Sequence, residues 1–289
     1  MRTKISAFVV TYNRAAMLPT CLRGIGFADE VIVVDKSSTD DTPAVATGLA
    51  DRVLIVPWTP TVEETRAYAL AQCAHDWIVF LDDDECLSAE ASQFLDNELQ
   101  EPRADIYALP LRHYILGEHD ERAYYWPEHH VRCFRRGAVE FGPTVHAGMT
   151  MKSDRVMKVS PDAGACIHHL SHPDVASWIE RTNRYTARRD RVRVEQDGLS
   201  LVAFAHARID YWLERTRDPN PDGYPAAVAL LRAIYDMVDR LKSWEDTRGK
   251  DGATLFAEAR ARLDAARAAI QPRKPGGSAT PPIFRRRPG

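Results

Sequence analysis

The chain has 289 residues, 45% hydrophobic and 27% charged, with a formal net charge of −3. That length can bury a real core in one large or two modest domains, and the charge balance gives no whole-chain electrostatic case for nucleic acid. Five scattered cysteines (21, 73, 86, 133 and 166) with no Cys-x-x-Cys pair argue for reduced thiols in the cytoplasm, against a disulfide scaffold or zinc knuckle.

Along the chain, Ile5 to Val10 reads as a buried strand closed by Thr11-Tyr12-Asn13-Arg14, with a helix expected from about Ala15 to Gly24. The N-terminal apolar segment is too short for a signal sequence, and no run approaches the roughly 18 apolar residues of a membrane span. Glu30 to Val34 is a second strand ending at Asp35. Thr42-Pro43 then supplies an N-cap and a first-turn proline for a helix to about Ala50. Val53 to Val56, Val62 to Cys73 and Trp77 to Leu81 follow as strand, helix and strand. This alternation specifies a mainly parallel sheet covered by helices. Beyond a helix capped by Ser88, residues 105–170 carry short strand-like pieces among loops rich in His, Trp, Arg and Gly. From Pro173 the apolar period becomes helical, with helices expected at about 175–185, 201–213, 226–244 and 254–270.

The organising stretch is Trp77-Ile78-Val79-Phe80-Leu81-Asp82-Asp83-Asp84-Glu85. A strand of β-formers ends in four acids and so delivers carboxylates to the C-terminal edge of a parallel sheet, where ligands bind in open α/β folds. Taken alone, such a run reads as a solvated loop. Clustered like charges otherwise call for something positive among them, and an oxygen-preferring Mg²⁺ or Mn²⁺ meets that need. Thr11, Tyr12 and Asn13 add hydroxyls and an aromatic face to the same rim. Asp35 can accept from a base imide or a ribose hydroxyl, and Arg66 can offset the acids' charge. Each of these alone is more often a turn, a cap or a surface charge.

Together the residues resemble glycosyltransferase family 2, nucleotide-sugar enzymes of the GT-A fold. The matching segments are Val10-Thr11-Tyr12-Asn13, Val33-Val34-Asp35-Lys36-Ser37-Ser38-Thr39-Asp40-Asp41-Thr42, Arg66 and Leu81-Asp82-Asp83-Asp84-Glu85. The segments Phe27 to Asp35, Tyr125-Trp126-Pro127-Glu128, Arg132-Cys133-Phe134-Arg135-Arg136, His168-His169 and Asn183-Arg184-Tyr185-Thr186 look like the lipopolysaccharide-core glucosyltransferase branch. The resemblance covers about residues 4–190. It implies Thr11, Tyr12, Asn13, Asp35, Arg66, Asp82 and Asp83 around the nucleotide, and Asp82 and Asp84 as the ends of an Asp-x-Asp metal motif. His169 stands where the branch has a histidine that can complete the metal shell. It also implies inversion at the anomeric carbon, a UDP-sugar donor in preference to others, and transfer to a hydroxyl of a glycan, glycolipid or small molecule.

Two departures stand out. Arg14 replaces the acid that usually follows Thr-Tyr-Asn, and Val145-His146-Ala147 replaces the branch's Val-His-Glu. The general base is therefore sought first at Glu128, then at His146 and Glu140. Trp126 and Tyr124 or Tyr125 are candidates to stack on a sugar face. The expected organisation is an α/β GT-A domain at 1–172, a helical extension at 173–271 and a disordered tail at 272–289. The basic end of that tail, Ile283 to Arg287, offers at most weak contact with an anionic membrane surface. Two other readings compete: a sugar-phosphate nucleotidylyltransferase, which would want a glycine-rich loop after the first strand, and a lapsed enzyme that only binds carbohydrate.

Overall fold

The computed structural model describes residues 2–59, 62–142, 149–187 and 198–268. The N-terminal half alternates as β1 (Ile5–Thr11), α1 (Leu18–Gly24), β2 (Glu30–Asp35), α2 (Thr42–Thr47), β3 (Arg52–Ile55), α3 (Glu63–Gln72) and β4 (Trp77–Asp82). β3, β2, β1 and β4 lie side by side, all parallel. The chain continues through β5 (Glu85–Leu87), α4 (Ala89–Glu98), β6 (Ile106–Ile115), β7 (Glu128–Arg135), β8 (Val139–Phe141), β9 (Met149–Met151), β10 (Val156–Lys158) and β11 (Ile167–His172). β7 pairs antiparallel with both β4 and β6, β11 runs parallel to β6, and β5 closes the order antiparallel to β11. This is the expected α/β architecture with a mainly parallel sheet, followed by α5 (Val175–Thr186), α6 (Leu201–Leu213), α7 (Tyr224–Asp246) and α8 (Gly252–Ala268).

The central strands are buried along nearly their whole length and mostly apolar, because both faces are covered. Ile5, Ala7 and Val9 of β1 pack with Leu18, Leu22 and Leu95, while Phe8 and Val10 face Ala69 of α3 and the ring of Phe80. Phe8 and Phe80 stack at 5.5 Å between centroids. Each fully buried side chain of this size contributes about 1.5–3 kcal/mol. A third cluster joins Ile115, Tyr125 and Trp126 to Trp178 of α5 and to Val228 and Leu231 of α7. The Trp178 indole N–H donates to the Leu231 carbonyl at 3.2 Å. This contact holds the later helices beside the end of β6.

Two compact units divide the chain, Met1–Arg240 and Leu241–Gly289. The sheet and helices α1 to α6 lie in the first. No helix among the described residues is long and apolar enough to cross a membrane. The basic tail at 283–287 lies outside the described residues.

The acidic run does not form one solvated loop, the reading it has when taken alone. The chain turns at Asp83 and Asp84, and Glu85 opens β5 opposite His169 of β11. Glu85 is only 2% exposed and tolerates that burial because Arg132 of β7 neutralises it.

Candidate active site

Strand register brings the rim together. Thr11 lies level with Asp35, and Val10 level with Asp82. The Thr11 hydroxyl and the Tyr12 N–H both donate to Asp83 Oδ2, at 3.1 and 3.2 Å. Asn13 has φ 54°, a left-handed conformation that asparagine tolerates better than most residues. Its Oδ1 accepts from the Thr39 N–H at 2.8 Å and its own N–H donates to Ser38 Oγ at 2.9 Å, tying the first loop to the second. Asp35 is fully buried and accepts from the Ser38 N–H at 2.9 Å and from the Ser38 hydroxyl. Its carboxylate therefore organises the 36–39 loop instead of lying open on the rim. Beside it, Tyr12 and Trp58 leave two exposed rings in edge contact, with centroids 6.2 Å apart.

The acids are interleaved with arginines. Arg66 pairs with Asp82 Oδ1, and Arg132 Nη2 reaches Asp82 Oδ2 at 3.2 Å. Arg132 also grips Glu85 through Nε at 2.6 Å and Nη2 at 2.7 Å. Both guanidiniums lie over the Phe80 ring, at 4.8 Å for Arg132 and 5.7 Å for Arg66. Arg14, the departure noted in the sequence, sits 3.3 Å from Asp83 and 3.8 Å from Asp84. Arg181 of α5 reaches Asp84 Oδ2 at 3.3 Å. Burial pushes the Asp82 carboxyl upward, but Arg66 and Arg132 outweigh it and hold it below its usual range. Burial carries Asp83 up to about 6 against the opposing pull of Arg14. At Asp84 burial is overcome by His169, Arg181 and Arg14, and the carboxyl stays ionised.

From Asp84 a line of polar side chains crosses to the far wall. His169 Nε2 is 3.5 Å from Asp84 Oδ1, and His169 Nδ1 is 2.8 Å from His113 Nδ1. His113 Nε2 faces Glu128 Oε2 at 3.4 Å, and His130 Nε2 lies 3.2 Å from Glu128 Oε1. The two imidazoles hold the Glu128 carboxyl well below its ordinary range. Burial lowers His113, whereas Asp84 raises His169 despite its burial. Glu128 and His169 both line a cavity of about 570 Å³ that continues over α5, α6 and α7.

Among the candidates for the base, His146 lies outside the described residues, and Glu140 forms an exposed ion pair with Lys152 at 2.8 Å. Tyr125 and Trp126 belong to the buried third cluster, while Tyr124 and Tyr125 line the cavity. Thr11, Tyr12, Asp83, Arg66 and Asp82 form one group, and Asp84, His169 and Glu128 form a second that meets it at the turn. Sequence reasoning gave no role to Arg132, His113, Arg181 or Trp58. Arg132 lies in a segment that resembles the family, but nothing in a linear pattern says which acid an arginine about fifty residues away will meet.

The family model of glycosyl transferase family 2 matches residues 6–156. The chain belongs to that family. The glycosyltransferase is 28% identical over 204 residues to an uncharacterized glycosyltransferase of Rickettsia felis, covering 67% of this chain and 71% of the other. It is also 27% identical over 166 residues to the lipopolysaccharide core biosynthesis glycosyltransferase LpsC of Rhizobium meliloti, covering 50% of this chain and 56% of that protein. Among solved structures, it is similar to glucosyl-3-phosphoglycerate synthase from Mycobacterium tuberculosis in complex with Mn²⁺, UDP and glucosyl-3-phosphoglycerate. That match has 25% identity and a TM-score of 0.32, and spans 38% of this chain and 44% of the other, less than half its length. The fold and the family together make this a family 2 glycosyltransferase with a GT-A sheet and helices C-terminal to it.

Among the described residues no three His, Cys, Asp or Glu side chains converge as a ready-made metal cage. Asp84 and His169 supply a carboxylate and an imidazole on one side only. A Mg²⁺-like ion is commonly held by one or two carboxylates plus substrate phosphates, not by an all-protein cage, and imidazole also suits transition metals. The donor set therefore fits a cation that arrives with a diphosphate.

Proposed function

We propose that this glycosyltransferase is a metal-dependent inverting enzyme that transfers a hexosyl group from a UDP-sugar to a hydroxyl of a saccharide acceptor. The observation that carries the reading is the placement of Asp84 and His169 at the turn between two walls. One wall is the Thr11–Tyr12–Asp83 rim, and the other bears Glu128. Asp84 and His169 would hold Mn²⁺ or Mg²⁺ there, and the ion would supply Lewis-acid stabilisation of the departing diphosphate.

The chain's own residues do the rest. Tyr12 and Trp58 present exposed rings for the nucleobase, and the loop tied by Asn13, Ser38 and Thr39 shapes the ribose end. Arg14, Arg66 and Arg181 bring positive charge to the turn, where the diphosphate's charge would lie. Glu128, ionised at neutral pH, takes the acceptor proton. As the acceptor oxygen bonds to the anomeric carbon, the bond from that carbon to the diphosphate oxygen breaks and its electron pair leaves with the diphosphate. The attacking oxygen becomes acidic in the same event, so even a carboxylate of low basicity can accept its proton. LpsC, which acts in lipopolysaccharide core biosynthesis by its name, supports an envelope-saccharide acceptor. Incubating the protein with a panel of UDP-, dTDP- and GDP-sugars in Mn²⁺ tests this reading. Slow hydrolysis confined to one or a few UDP-sugars is expected, and no hydrolysis of any sugar nucleotide would contradict it.

A further inference from the structure

The cavity that begins at Glu128 and His169 ends on α6 and α7 in a different chemistry. Its far wall carries Arg215 and Arg232 among the rings of Tyr124, Trp212 and Tyr235. Among the described residues Glu128 is the sole acid in its lining, against three arginines. Arg181 is paired with Asp84, whereas Arg232 and Arg215 have less than one carboxylate each among the described residues. Arg232 shares Asp236 with Arg208 and with the Trp212 indole N–H, at 3.2, 2.6 and 2.7 Å. One carboxylate thus serves two guanidiniums. Arg215 has no carboxylate partner among the described residues. Its guanidinium carbon lies 3.5 Å from the centroid of the Tyr211 ring, and it donates to the Tyr211 carbonyl at 3.4 Å. His172 also lines the cavity, and its Nδ1 is buried without a hydrogen-bond partner among the described residues.

A guanidinium stacked on an aromatic ring is held in place while its remaining N–H groups can still donate, the arrangement that suits phosphate and carboxylate. Aromatic faces suit the apolar face of a sugar ring. The geometry points to an anionic acceptor: a saccharide carrying a phosphate or carboxylate, its ring against Tyr124 and Trp212 and its charge on Arg215 and Arg232. This rests on the transferase reading, because the Glu128 end of the same cavity is what would receive the reacting hydroxyl.

The test titrates the full chain, without donor, with three probes built on one ring: glucose, glucose 6-phosphate and glucuronate. Glucose 6-phosphate, glucuronate or both bind at least tenfold more tightly than glucose, and the pair tells whether phosphate alone or either anion is read. Arg215→Gln and Arg232→Gln each cut that preference severalfold, and Arg215→Lys keeps more of it than Arg215→Gln. Equal affinity for all three sugars would overturn the proposal, as would a preference that survives in the doubly substituted R215Q/R232Q protein with native-like unfolding. UDP binding in Mn²⁺ is measured in parallel. Its absence alongside an intact anion preference counts against the transferase reading alone, and the converse counts against the acceptor site alone.

Discussion

His113 and His169 meet through their Nδ1 atoms at 2.8 Å, so one ring donates and the other accepts. An ionised Glu128 can only accept, which places the His113 proton on Nε2. Burial keeps His113 neutral, so its Nδ1 is the acceptor and His169 Nδ1 carries the hydrogen. His169 Nε2 is then the atom facing Asp84, where a cation can replace a proton. Partners of this kind typically change metal affinity by about 10–100-fold. His113→Phe is therefore expected to weaken Mn²⁺ binding in the presence of UDP by about tenfold, read by calorimetry. Unchanged affinity would mean that β11 alone orients His169.

Glu128→Gln removes the proton acceptor but leaves the rim loops intact. Transfer to the acceptor should fall by about 10²–10⁴-fold, while the dissociation constant for UDP with Mn²⁺ stays within twofold. Undiminished turnover would move the base elsewhere, to His146 first.

The Glu85–Arg132 pair is structural in its energetics. Arg132→Met strands a carboxylate that is 2% exposed, and breaking a buried pair from one side costs about 3–5 kcal/mol. Denaturant unfolding should show that loss, and joint replacement with Glu85→Leu should restore more than half of it. A single variant with wild-type stability would show that water or a rearranged neighbour compensates the acid.

Trp58 and Tyr12 are two exposed rings at the donor rim. Base–aromatic stacking contributes about 1–3 kcal/mol, so Trp58→Ala should raise the dissociation constant for UDP about tenfold or more. It should leave that for inorganic pyrophosphate unchanged. Equal weakening of both would place Trp58 in loop folding and not in base contact.

Much of this was legible in the sequence because local physics writes it there. The alternation of apolar strands and helices through Leu81 and the convergence of three loops on one rim follow from periodicity and turn chemistry. β5 and β11 were not legible. Glu85 and His169 are unlikely strand residues until Arg132 and Asp84 are placed beside them, and those partners lie tens of residues away. The helices after Pro173 were legible as helices, but their contribution to the cavity was not. Arg181 reaches Asp84 from the same helix whose Trp178, three residues earlier, is anchored on Leu231 of α7.

The central claim is that the turn at Asp84 and His169 grips a divalent cation together with a diphosphate. Calorimetric titration of UDP into the protein, once in Mn²⁺ and once in EDTA, tests it most directly. Binding at least tenfold tighter in Mn²⁺, with the difference abolished in Asp84→Asn, is the predicted result. The same affinity for UDP in EDTA as in Mn²⁺ would contradict it.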